Sequence, residues 1–413
     1  MGSDAVSPRM PPPCPTVRHV EATPTTTDPR TAAPGTTIAG RHRFLPYRPA
    51  LDGLRAVAVL AVVAYHFNPD VVSGGLLGVS VFFTLSGYLI VTLLLRERMT
   101  TGSVDLGAFW ARRIRRLAPA ALVTTAVVVL LAGGRAWGWQ NAMVWTDPVA
   151  AIWSVMNWHQ IGYEAGAGLR IVHPLSPYWS LAVEEQFYLV IGLVLLGVRA
   201  CARPALVMLW ITGAVWVVGA AVARFADLSP TMAEWGTQVR APEIAAGCVL
   251  ACTLLVTGRE VRGRAADALG WLAFGGLLAL FALASKSQWW LFHGGFALVS
   301  IVSTCVLIGL LADRSLARAL AWRPLVALGT ISYAIYLVHW PVRLALVPER
   351  VGDLDGVGLA LLRFGVSLAL ALALHLLVER PFMRRFPARP PVVLAVWLVA
   401  SAGVTLLAYG LLA

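Results

Sequence analysis

The sequence has 413 residues, 58% of them hydrophobic and only 13% charged, with a formal net charge of +12. No soluble domain needs so many apolar residues to fill its core, so most of this chain is solvated by lipid. The positive charge does not point to nucleic acid, because the arginines fall between apolar segments and not along one basic face interleaved with aromatics.

Residues 1–45 are rich in Pro, Thr and Ala without an apolar period and read as a disordered cytoplasmic tail lacking the apolar core of a signal peptide. Beyond them, apolar stretches of about 20 residues recur, the length that crosses a hydrocarbon core. Spans are predicted near 51–68, 76–95, 117–133, 181–198, 205–223, 239–256, 269–284, 291–311, 325–345, 357–378 and 391–412. The fold class is therefore all-α, a polytopic transmembrane helical bundle of about 11 helices. The segment Trp145–Tyr163 is apolar but broken by Asn157, His159 and Gln160, and reads as an interfacial or re-entrant piece and not as a twelfth span. Residues 46–390 form the main transmembrane domain and residues 391–413 an additional C-terminal helix.

Basic residues set the orientation. With the N-terminus inside, the inner connections hold 24 Lys and Arg and the outer ones 5, and a twelfth span would destroy that asymmetry. The expectation is a plasma (inner) membrane protein with a cytoplasmic N-terminus and an outer C-terminus. Cys14, Cys201, Cys248, Cys252 and Cys305 show no zinc-like Cys/His spacing, so no metal is expected.

An ionisable side chain inside a span costs about 2.5–3.5 kcal/mol on insertion scales and marks a candidate function. Arg55 and His66 share a face of the first span, about 16 Å apart along the axis, so they suit two ends of one passage but not direct contact. The first inner loop ends Phe109-Trp110-Ala111-Arg112-Arg113-Ile114-Arg115-Arg116-Leu117-Ala118-Pro119. Its arginines fit lipid headgroups as well as they fit a phosphate clamp, since guanidinium forks pair bidentately with phosphate. Trp179-Ser180-Leu181 leads into the adjacent carboxylates Glu184 and Glu185, with Tyr188 one turn beyond Glu184. Ser332, Tyr336 and His339 share one face at spacings of four and three, and Arg240 and Glu243, three apart, are placed to pair.

Together these residues resemble the acyltransferase 3 family of integral membrane acyltransferases, from about Arg48 to Pro381. The likeness rests on Arg55 and His66, on Gly78-Val79-Ser80-Val81-Phe82-Phe83-Thr84-Leu85-Ser86-Gly87-Tyr88-Leu89, and on Arg112, Arg113 and Arg116 with Pro119. It continues through Trp179, Ser180, Leu181 and Glu184, then Ser332, Tyr333, His339 and Pro341, and closes on Glu379-Arg380-Pro381. The family often has a His two places before the middle Trp; here that place is Pro177, and His173 is out of register. The soluble esterase-like extension of some relatives is also absent from the 413 residues.

The resemblance implies an acyl-CoA co-substrate, acetyl-CoA by preference, no permanently bound cofactor, and a hydroxyl acceptor on a sugar, cell-envelope glycan or glycosylated small molecule. Arg112, Arg113 and Arg116 would hold the donor phosphates and Arg55 the entering group. His66 would be the general base and Glu184 its orienting carboxylate, with Ser86, Tyr88, Trp179, Ser332, Tyr336, His339, Arg240 and Glu243 as further candidates. Two other classes compete: a transporter or exporter using the buried Arg, His and Glu as an ion path, and a structural scaffold whose charges only pair. A transporter predicts an internal repeat, and none is visible.

Overall fold

Between residues 49 and 412 a computed structural model folds the chain into helices, with no strand among the described residues, which are Gly2, 46–167, 172–386 and 389–413. The tail expected over residues 1–45 lies almost wholly outside them. The helices are α1 (Pro49–Phe67), α2 (Gly78–Thr101), α3 (Leu106–Gly133), α4 (Thr146–Ile152), α5 (Met156–Ala167) and α6 (Tyr178–Gly197). They continue as α7 (Pro204–Phe225), α8 (Pro230–Trp235), α9 (Thr237–Thr257), α10 (Arg264–Leu283), α11 (Phe296–Leu311) and α12 (Ser315–Leu320). The last are α13 (Arg323–Thr330), α14 (Ser332–Ala345), α15 (Gly356–Leu374), α16 (Arg380–Arg385) and α17 (Pro390–Leu412).

Ten helical segments among the described residues are long and apolar enough to cross a membrane, and the pair α13–α14, bent by 68°, makes eleven when taken as one broken span. The chain is a multi-pass membrane protein. Lipid does not drive helices together, so association depends on close backbone approach. At the α2–α9 crossing a Cβ on Gly87 would meet the Ile244 carbonyl oxygen at 2.0 Å, and one on Gly247 the Thr84 oxygen at 1.9 Å. Only glycine fits at either place.

Two expectations are corrected in detail. The arginine segment is not loop: α3 begins at Leu106, its first turn capped by the Asp105 side chain, which accepts from the Ala108 amide at 2.8 Å. Arg112, Arg113 and Arg116 therefore ride on the first turns of a 28-residue helix, since long arginine stems lie along apolar surface while their heads stay in a polar layer. The span expected at 325–345 breaks at Ile331. There Gly329 lies so close to the Asp52 backbone oxygen, 1.8 Å from an ideal Cβ, that α13 must cross α1 at that point.

The Trp145–Tyr163 segment enters and leaves by one end of the bundle. Trp145 meets Tyr409 near the end of α17, and Trp153 meets Trp397 further down the same helix. Those partners are twelve residues apart on α17, about 18 Å of rise. The turn at Ser154 has φ of 56°, and its carbonyl accepts from Gln186 Nε2 at 2.9 Å. The chain then returns as α5, so α4 and α5 are the two legs of a re-entrant hairpin. The Gln186 side chain thus satisfies the carbonyl of the turn, as backbone at membrane depth requires. α17 runs beside α3 in the same direction, Pro390 against Gly107 at one end and Leu411 against Gly133 at the other.

Candidate active site

The centre of the bundle holds a file of polar side chains from α1, α14, α6, α2 and α3. At the end of α1, His66 Nδ1 lies 2.8 Å from His339 Nε2 on α14, with the rings stacked at 5.0 Å. His339 Nδ1 is 2.7 Å from the Tyr336 carbonyl, which can only accept, so Nδ1 carries the proton of a neutral His339. His339 Nε2 is then the acceptor for His66 Nδ1–H, and His66 Nε2 keeps a free lone pair. This tautomer follows from the hydrogen-bond network. Arg343, one turn after His339, donates from Nε to the His66 carbonyl at 2.6 Å and satisfies a helix-end acceptor. The Trp340 ring stands edge-on to His66 at 4.8 Å.

One turn before His339, the Tyr336 hydroxyl lies 2.6 Å from Ser180 Oγ on α6 and donates to the Pro177 carbonyl at 3.0 Å. Thus Pro177 contributes through its backbone. A turn further along α6, Glu184 Oε1 accepts from Ser86 Oγ at 2.6 Å and from the Tyr188 hydroxyl, and Ser86 and Tyr188 are 3.0 Å apart. Arg113 of α3 sits over the Tyr188 ring at 4.5 Å, a cation–π contact.

A cavity of about 570 Å³ runs between α3 and α6, reaching from Leu106 and Leu196 to Tyr178 and Ala151. Arg113, Glu184 and Glu185 supply its charge, and Pro390, Leu394 and Trp397 of α17 close one side.

The sequence candidates separate on this frame. Arg113 lines the cavity, whereas Arg112 is exposed and stands 3.9 Å from Glu97 on α2, and Arg116 is not among the lining residues. Arg55 pairs with Asp52 at 3.1 Å near the start of α1. Glu184 is held by Ser86 and Tyr188, and the ring partner of His66 is His339, so the pairing expected between Glu184 and His66 is replaced by one from α14. Arg240 and Glu243 do pair, at 3.2 Å and almost wholly buried. Ser80 donates to Glu243 at 2.9 Å, and Phe296 and Trp179 face the guanidinium at 3.8 and 5.3 Å. Tyr88 and Ser332 are buried in the α2 and α14 packing. Sequence reasoning passed over Trp340 and gave Arg343 no role. The signal for both was their place on one short helix with His339, Trp340 next to it and Arg343 one turn on.

The multi-pass helical bundle, with its histidine pair at one end, a carboxylate held by Ser86 and Tyr188 and a cavity lined by Arg113, defines an integral membrane protein with a polar interior. The chain belongs to the acyltransferase domain family, acyltransferase 3, whose model matches residues 48–380. It is 33% identical over 314 residues to the O-acetyltransferase OatA of Staphylococcus aureus (strain NCTC 8325 / PS 47), covering 72% of this chain and 50% of that protein. It is 34% identical over 337 residues to "Putative peptidoglycan O-acetyltransferase YrhL" of Bacillus subtilis (strain 168), covering 76% of this chain and 51% of that one. The chain spans about half the length of the curated relatives it matches. No solved structure matches it.

Proposed function

We propose that this protein is a plasma-membrane O-acyltransferase, with its N-terminus in the cytoplasm and Ala413 outside. It takes an acetyl or other acyl group from cytoplasmic acyl-CoA and places it on a hydroxyl of a cell-envelope glycan at the opposite face. The single observation that carries this reading is the succession of polar groups between His66 and the Arg113 cavity, His339, Tyr336 and Ser180 and then, one turn on along α6, Glu184, because transfer across a membrane needs a donor site and an acceptor base within one protein. Two relatives named as O-acetyltransferases, one of them for peptidoglycan, support the group and the acceptor class.

In this mechanism the donor's phosphates meet the basic start of α3, with Arg113 as the inward-facing ligand, and its arm enters the α3–α6 cavity. The far end of that cavity is Tyr178, next to Pro177, whose carbonyl accepts from Tyr336 one turn from His339. His66 Nε2 takes the proton of the acceptor hydroxyl as its oxygen attacks the thioester carbonyl, and the CoA thiolate leaves. His339 fixes the ring that does so, the orienting role a carboxylate plays in other His-based sites. Glu184 orders Ser86 and Tyr188 beneath Arg113 and acts on the donor side.

Purified protein given radiolabelled acetyl-CoA and soluble peptidoglycan fragments should yield labelled glycan. Donor binding without transfer, together with ion flux in proteoliposomes, would overturn the reading in favour of a transporter.

A further inference from the structure

A second polar cavity, of about 60 Å³, opens between the legs of the re-entrant hairpin, at the end of the bundle opposite the arginines. Asp147 of α4, His159 and Gln160 of α5, and His173 before α6 line it, with Tyr163 and Trp235 as aromatic walls. Asp147 Oδ1 lies 2.8 Å from His159 Nε2 and 3.8 Å from His173 Nε2, while Oδ2 accepts from the Val144 amide at 2.9 Å. This fixes the carboxylate and leaves lone pairs on both oxygens.

Gln160 is only 6% exposed, and its amide meets His173 Nε2 at 3.2 Å. His173 Nδ1 accepts from the Leu175 amide at 3.3 Å, so its own proton sits on Nε2, facing that amide. Whichever way the amide is turned, one end meets His173 and the other is buried with no partner among the described residues. Leaving such a group unmatched costs about 1–3 kcal/mol, so this end of the amide calls for a hydrogen-bonding partner in the cavity.

The chemistry of the lining limits the ligand. Asp147 repels an anion, an apolar group would leave Gln160 unmatched, and no cluster among the described residues could hold a metal ion. About 10–15 Å³ of such space holds one water, so this cavity has room for an alcohol or a hydroxymethyl group. Its position gives it a use. Trp340 donates from Nε1 to the His173 carbonyl at 3.1 Å and meets the His66 ring at 4.8 Å, so one indole separates this cavity from the proposed base.

We propose that this cavity is an acceptor subsite, holding one hydroxyl or hydroxymethyl group of the glycan between Asp147 and Gln160 while a neighbouring hydroxyl of the same molecule meets His66. The inference rests on the acyl-transfer reading above. Its test is equilibrium binding of a soluble peptidoglycan disaccharide to the full chain in nanodiscs. Wild type should bind; Gln160→Leu should bind at least tenfold more weakly, and so should a Leu in place of Ala142, which also lines the cavity, because Ala142→Leu fills the space without removing a side-chain hydrogen bond. Arg112→Lys, at an exposed residue that lines neither cavity, should bind as wild type does. Should Gln160→Leu fail to accumulate, Ala142→Leu decides alone. Undiminished binding in Ala142→Leu, or no binding by wild type, overturns the subsite. Cavity-dependent binding without acyl transfer from any acyl-CoA would instead overturn the transfer reading and leave the subsite standing.

Discussion

His66 Nδ1 and His339 Nε2 lie 2.8 Å apart although 273 residues separate them in the chain. The contact turns one histidine into the orienting group of the other and leaves a single nitrogen, His66 Nε2, to accept a proton. His66→Ala and His66→Gln should each lose at least about 100-fold in turnover, since neither accepts a proton near neutral pH. His339→Ala should lose about tenfold or more with little change in acceptor KM, and His339→Gln, which can still accept from Nδ1–H, should recover part of it. A fully active His66→Gln enzyme would remove His66 from the base role; equal loss in both His339 variants would make His339 structural.

The arginines make separable demands. Arg113 lines the cavity and stacks on Tyr188, whereas Arg112 faces Glu97 at the surface. Arg113→Lys keeps the charge but loses planar stacking and bidentate phosphate geometry, so apparent donor KM should rise about tenfold. Arg112→Lys should leave it nearly unchanged. Equal behaviour of the two in acyl-CoA titrations would restore a purely lipid-facing role.

Arg240 and Glu243 are almost wholly buried beside Phe296 and Trp179. Removing one member leaves an uncompensated charge, a loss of about 3–5 kcal/mol in buried pairs, while replacing both with apolar residues is far milder. Glu243→Gln should accumulate poorly, and Arg240→Met with Glu243→Leu should approach wild-type thermal stability. A double variant no better than the single one would assign the pair to function.

Tags in the α9–α10 connection, at Arg259, should be cytoplasmic, and tags at Asp227, between α7 and α8, should lie outside, as the 24-to-5 bias in basic residues predicts. Cysteine labelling from one side of intact cells reads both positions. Labelling of Asp227→Cys only after permeabilisation would invert the topology.

His173 lies outside the spans, and burial lowers its pKa below the ordinary 6.5, with Asp147 opposing the shift and His159 adding to it. The unfolded chain therefore binds more protons than the folded one once pH drops below about 6.5. The stability this group contributes is present above that pH and lost as pH falls through and below it. The thermal midpoint of wild type should decline between pH 7 and pH 5, and His173→Gln should decline less steeply. Parallel slopes would place the sensitivity elsewhere.

Much of this was legible in the sequence because it depends on quantities that a linear chain carries. Span length, apolar content and the placement of Lys and Arg determined a multi-pass helical bundle, and the polar break at Asn157, His159 and Gln160 marked the hairpin. Helical spacing alone put Ser332, Tyr336 and His339 on one face and Arg240 within reach of Glu243. Partnership across helices was decided only by the tertiary structure. Nothing in a period of 3.6 residues reveals that α14 brings His339 to His66 while α2 brings Ser86 to Glu184, or that of three neighbouring arginines only Arg113 turns into the cavity. Those choices follow from which helices approach closely, and glycines such as Gly87, Gly247 and Gly329 permit that approach only where another backbone lies opposite. The sequence determined which side chains the membrane must accommodate; the crossings of the helices decided which of them meet.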